Sequence, residues 1–107
     1  MEINTTQFQE KLKNGEKMIV DFYATWCGPC KVMKPIYEKV ATELKSQNSK
    51  VNLYTINVDN NRELALSLNV RSIPTIKVIA DGEVKSTNVG VLQEGQLHEI
   101  AKNLING

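Results

Sequence analysis

Apolar residues fill the stretch Met18-Ile19-Val20-Asp21-Phe22-Tyr23-Ala24 except at Asp21. So continuous a run predicts a strand covered on both faces. The pattern then changes period. Val32, Met33, Ile36, Tyr37, Val40, Ala41 and Leu44 recur at helical spacing and predict a helix from Lys31 to about Gln47. Pro35 falls inside that stripe and should kink the helix, because its ring replaces a backbone donor. Val51 to Val58 reads as a second strand and ends in polar Asp59-Asn60-Asn61. Arg62 to Leu68 fits either period; its helix formers, with Asn60 or Asn61 as cap, favour a helix. Thr75 to Ala80 and Glu83 to Val89 flank Asp81-Gly82, a two-residue hairpin signal. Leu97, Ile100, Ala101, Leu104 and Ile105 share one face of a last helix.

The start of the chain is less marked. Thr5 or Thr6 can cap a first helix carrying Phe8 and Leu12 and ended by Asn14-Gly15, and any strand around Ile3 must be short. The expected order is β-α-β-α-β-α-β-β-α, an α/β fold in one domain spanning residues 1–107. Early strands separated by helices pair in parallel through right-handed crossovers, and the hairpin adds antiparallel strands. The result is a mixed central sheet with helices on both faces.

Composition narrows the function. At 107 residues the chain can bury a core without staples. A net charge of +1, with its Lys and Arg dispersed, gives no nucleic-acid footprint. The apolar runs are too short to span a membrane. The first residues carry no signal-peptide pattern, so a cytoplasmic location is the expectation, and with it a reducing environment. Asn4-Thr5-Thr6 matches a glycosylation acceptor, read as a chance match in that setting.

The candidate chemistry lies in Trp26-Cys27-Gly28-Pro29-Cys30, which holds both cysteines of the chain between the buried strand and the helix. Cys27 precedes the helix, where unpaired N–H groups and the positive end of the dipole stabilise a thiolate. Cys30 lies a turn further in, where the helix should bury it. Gly28 leaves room for a partner backbone, and Pro29 suits a first helical turn. Zinc is disfavoured, since a structural site needs four ligands and His98 is the only further nitrogen or sulfur candidate. A static staple is disfavoured too, because so small a loop constrains the unfolded chain little.

Three other positions stand out. Asp21, a carboxylate in a covered strand, should have a raised pKa and is placed to take a proton from Cys30; a solvent-reaching or turn-capping Asp is the equally weighted alternative. Pro74, in Ser72-Ile73-Pro74-Thr75, marks a strand start on local grounds. Trp26 is either core or the rim of a partner surface, and its place beside a nucleophile favours the rim.

Taken together, Val20 to Lys31, Pro35, Asn57-Val58-Asp59, Ser72-Ile73-Pro74-Thr75, Asp81-Gly82 and Val89-Gly90 resemble the thioredoxin family over nearly the whole chain. The resemblance implies a thioredoxin fold and a protein-disulfide reductase that cycles between a Cys27/Cys30 dithiol and a disulfide. It also implies a cis Pro74 packed against that pair, and a substrate groove of Trp26, Ile73, Pro74, Val89, Gly90 and Val91. Electrons would come from NADPH through a separate thioredoxin reductase, with no cofactor or metal bound by this chain. The implied partners are that reductase and disulfide-containing proteins, with the chain a monomer by default. Gly28-Pro29 matches the reducing members, whereas oxidising and isomerising relatives more often carry a histidine there. Two positions depart from the common pattern. Thr55 stands where many relatives place a lysine beside the buried aspartate, and Tyr23 where many place a tryptophan. A competing reading is a binding module in which the groove grips a partner and the thiols are incidental.

Overall fold

The computed structural model describes residues 1–106. Its elements are α1 (Thr5–Lys13), β1 (Met18–Tyr23), α2 (Gly28–Ser46), β2 (Asn52–Asn57), α3 (Arg62–Ser67), β3 (Thr75–Ala80), β4 (Glu83–Val89) and α4 (Glu94–Asn106), with a single 3-10 turn at Val58–Asn60. The sheet order is β2-β1-β3-β4. β1 runs parallel to β2 and antiparallel to β3, and β3 and β4 form the hairpin. The expected strand around Ile3 shrinks to one parallel bridge, Glu2 to Thr55.

Alternation along the strands sorts the core into two layers. Ile19, Leu53, Ile76, Val78 and Ala80 pack with Met33, Tyr37, Val40 and Leu44 of α2 and with Leu97, Ala101 and Leu104 of α4. Met18, Val20, Phe22, Tyr54, Ile56 and Ile79 pack on the other side with Phe8 of α1 and Leu64 and Ala65 of α3. The Tyr37 hydroxyl lies 2.8 Å from the Ile19 carbonyl oxygen and 2.7 Å from that of Tyr54. It therefore ties α2 to the backbone of both β1 and β2.

The local signals were met with informative exceptions. Asp81 and Gly82 both adopt positive φ, 57° and 74°, the geometry that lets a two-residue turn follow the twist of its strands. α1 is capped by Asn4 and not by either threonine. The Asn4 side chain accepts from the Gln7 N–H at 2.9 Å, and Gln7 accepts in return from the Asn4 N–H at 2.8 Å. Thr5 turns its hydroxyl to Asn61 Oδ1 at 2.8 Å. Asn61 is consequently the N-cap of α3 without a side-chain capping bond. Within α2, Val32 is 57% exposed, so the buried stripe is narrower than its apolar positions. Adjacent helical residues are about 100° apart, and with Met33 facing the sheet Val32 is swung off it. The helix continues through Pro35 without interruption.

Leu97 is fully buried between α4 and the sheet. Leu97→Ala should lower the free energy of unfolding in urea by about 3 kcal/mol with little change in far-ultraviolet circular dichroism. A loss under about 1 kcal/mol would contradict the packing described.

Candidate active site

β1 ends at Tyr23, and the chain reaches the N-terminus of α2 four residues later, with Cys27 as the N-cap. The first residues of α2 have N–H groups without intrahelical partners. One of them, that of Cys30, donates to the Cys27 sulfur at 3.2 Å. This is the environment that favours negative charge on sulfur. Cys27 and Cys30 form a disulfide, with Cα atoms 5.2 Å apart. Each is only 5% exposed: Cys30 is buried as its helix position predicts, and Cys27 is buried with it. Both pack with Ala24, against Tyr23, Val58 and Ile73. Pro29 lies in the first turn of α2, and a side chain added at Gly28 would meet open space.

The second wall of the site arises from strand pairing. Phe22 is paired with Thr75, so the end of β1 lies beside the start of β3. Ile73 is thereby brought against the cysteines. The Ile73–Pro74 peptide bond is cis, and the Ile73 carbonyl oxygen is 3.7 Å from the Cys27 sulfur. The Pro74 carbonyl accepts from the Gly90 N–H at 2.9 Å, and Gly90 has φ 97°, a conformation suited to glycine. Val89 is exposed, Val91 half-buried, and Trp26 is 68% exposed. The indole N–H of Trp26 donates to Asp59 Oδ2 at 2.8 Å. Trp26 is thus a surface residue and not part of the core, and Asp59, expected only as a strand end, holds its ring.

Asp21 resolves toward the buried alternative. It is 3% exposed, and its Oδ1 has no hydrogen-bond partner. Burial in this setting raises its pKa to about 7. It lines a 480 Å³ cavity together with Cys30, Tyr23, Thr55 and residues of α2. Thr55, its partner on β2, is the uncharged residue noted in place of lysine. His98 lies away on α4, its Nε2 3.0 Å from Glu43 Oε1.

A cysteine pair bridged at a helix N-terminus, beside a cis-proline loop and a buried carboxylate, has the arrangement of a thiol–disulfide oxidoreductase. Comparison with known proteins agrees at every level. The thioredoxin family model matches residues 1–103. A thioredoxin of Rickettsia bellii is 39% identical over 97 residues, 91% of this chain and 90% of that one. The mitochondrial thioredoxin of Bos taurus is 38% identical over 99 residues, 92% of this chain and 58% of that one. A crystal structure of chloroplastic thioredoxin z superposes with a TM-score of 0.84 at 31% identity, covering 99% of this chain and 94% of that one. The chain belongs to the thioredoxin family.

The buried carboxyl has a consequence for stability. The folded pKa of Asp21, about 7, lies above its ordinary value of 3.8. The native state therefore holds a proton that the unfolded chain has released between those values, and the contribution of Asp21 to stability falls as pH rises from about 4 to about 7. Full expression of the shift corresponds to roughly 4 kcal/mol. Asp21→Asn should make the oxidised protein more stable than wild type at pH 8 in urea unfolding. The advantage should shrink steadily toward pH 4. A difference independent of pH would contradict an ionisable, buried Asp21.

Proposed function

We propose that this thiol–disulfide oxidoreductase acts as a protein-disulfide reductase, with Cys27 as nucleophile and Cys30 as resolving thiol. The Cys27 thiolate attacks a target disulfide sulfur in line, forming a mixed disulfide and releasing one target thiolate. Asp21 takes the proton of Cys30, directly or through water. The Cys30 thiolate then attacks the Cys27 sulfur, releases the second target thiolate and leaves the Cys27–Cys30 disulfide. The observation that carries this reading is the Cys27 sulfur at the α2 N-terminus, receiving the Cys30 N–H, with Cys30 and the unpartnered Asp21 on one cavity.

Trp26, Ile73, Pro74, Val89, Gly90 and Val91 supply the surface for an extended target segment, and open space at Gly28 leaves the approach clear. Re-reduction draws on NADPH through a separate thioredoxin reductase, so no cofactor is bound by this chain. Residues 1–107 act as a single monomeric domain that maintains protein thiols and passes electrons to reductive enzymes in the cytoplasm. The Gly28-Pro29 pair supports the reducing direction over the oxidising one.

In a coupled assay with NADPH, a thioredoxin reductase and insulin, wild type should turn over and Cys27→Ser should not. Retention of activity by Cys27→Ser would overturn the assignment. Cys30→Ser should instead accumulate a covalent adduct with its target, visible by mass spectrometry and released by a small thiol. Stopped-flow comparison should find Asp21→Asn slower in resolution by about 10-fold or more, with a smaller effect on the first attack. Equal slowing of both steps would remove the base role.

A further inference from the structure

The cavity that holds Asp21 has an outer wall with its own chemistry. Residues 1–3 lie along the free edge of β2, where the Ile3 N–H donates to the Thr55 carbonyl at 2.9 Å and the Thr55 N–H donates to the Met1 carbonyl at 3.0 Å. Glu2 is the bridge partner of Thr55, and Thr55 is the strand partner of Asp21. Residues paired across a sheet project from the same face, so Glu2, Thr55 and Asp21 form one lateral row facing α2. Two strand spacings separate the backbones of the carboxylates, about 10 Å. Tyr23, two residues beyond Asp21 on β1, projects from that face as well. Its hydroxyl donates to Glu2 Oε1. Glu2 and Tyr23 both line the Asp21 cavity.

An exposed glutamate would ordinarily be free to swing into water. Here it is fixed at three points: the bond to Tyr23 and the two backbone bonds on either side of it. The phenol is suited to the task, since burial first, and the neighbouring Glu2 next, push its pKa up to about 12 and keep it a donor. A carboxylate held there looks across uncharged Thr55 toward Asp21, and a like charge disfavours ionisation of its neighbour. From α2 the cavity is also faced by Cys30, Lys31, Lys34, Tyr37 and Glu38. The hydroxyl of Tyr37 is held against backbone carbonyls. β3 contributes only apolar Ile76 beside Asp21.

We propose that Glu2, tied by Tyr23 to the mouth of the cavity, is a positioning residue that adjusts the pH at which Asp21 becomes able to accept the Cys30 proton. In this chain a carboxylate at the end of the row, with a threonine between, tunes the buried acid. The functional significance rests on the base role proposed above for Asp21; the electrostatic claim does not.

The test is the Asp21 carboxyl-carbon titration by NMR in the oxidised protein, comparing wild type with Glu2→Gln, Glu2→Asp and Tyr23→Phe. At low salt, Glu2→Gln should lower the Asp21 midpoint by about 0.5 pH, the size expected of one charge across a partly hydrated gap. Tyr23→Phe, which releases Glu2 toward solvent, should lower it as well, whereas Glu2→Asp should stay nearer wild type than Glu2→Gln does. The pH profile of mixed-disulfide resolution should move with the midpoint. A midpoint in Glu2→Gln within about 0.2 of wild type would overturn the proposal, whatever the resolution rate does. Asp21→Asn, run alongside, separates the two ideas. If it resolves at the wild-type rate, the base role fails, while the titration still decides whether Glu2 controls Asp21.

Discussion

The antiparallel pairing of β1 with β3 is the contact on which the site depends. It sets Phe22 opposite Thr75 and Asp21 opposite Ile76. Because the two strands run in opposite directions, the end of one lies beside the start of the other. The loop leaving β1 and the loop entering β3 therefore meet, and Cys27 and the Ile73–Pro74 bond become neighbours from positions 46 residues apart. A one-residue slip would turn Asp21 to the α1 side of the sheet and part it from the cavity it shares with Cys30.

That pairing explains why the central strand tolerates a carboxylate. β1 has a hydrogen-bonded neighbour on each edge and helices on each face, so Asp21 is 3% exposed and its side chain meets only the cavity beneath α2. A buried carboxyl without a partner is costly, and the cost appears as a preference for the protonated form. The stability given up near neutral pH keeps a titratable carboxyl on the cavity that Cys30 also lines. α2 adds the complementary effect at its own N-terminus, where the Cys27 sulfur meets a free N–H. One element thus favours charge at Cys27, while another disfavours it at Asp21.

Much of this was legible in the sequence because it depends on local pattern. The Asp81-Gly82 turn, the α2 stripe and the two thiols before a helix each follow from residues close together in the chain. What was not legible depends on partners distant in sequence. Asn61 is an ordinary cap candidate until Thr5, 56 residues away, takes its side chain. Asp59 looks like a strand terminator until the fold brings Trp26 to it. Val32 fits the apolar period and yet faces water, because periodicity gives the spacing of a stripe and not its width. Whether Asp21 was buried or solvent-reaching could not be decided by its strand alone; coverage of both faces decided it. Glu2 carried no signal, since its position comes from one bridge to β2.

The most direct measurement of the central claim is the ionisation of Cys27 in the reduced protein, followed by thiolate absorbance near 240 nm with Cys30→Ser to isolate the signal. The helix N-terminus and its donated N–H predict a Cys27 pKa clearly below the ordinary value of about 8.5. A midpoint at or above about 8.5 would mean that the strand-to-helix junction does not activate the thiol, and the account built on it would fail.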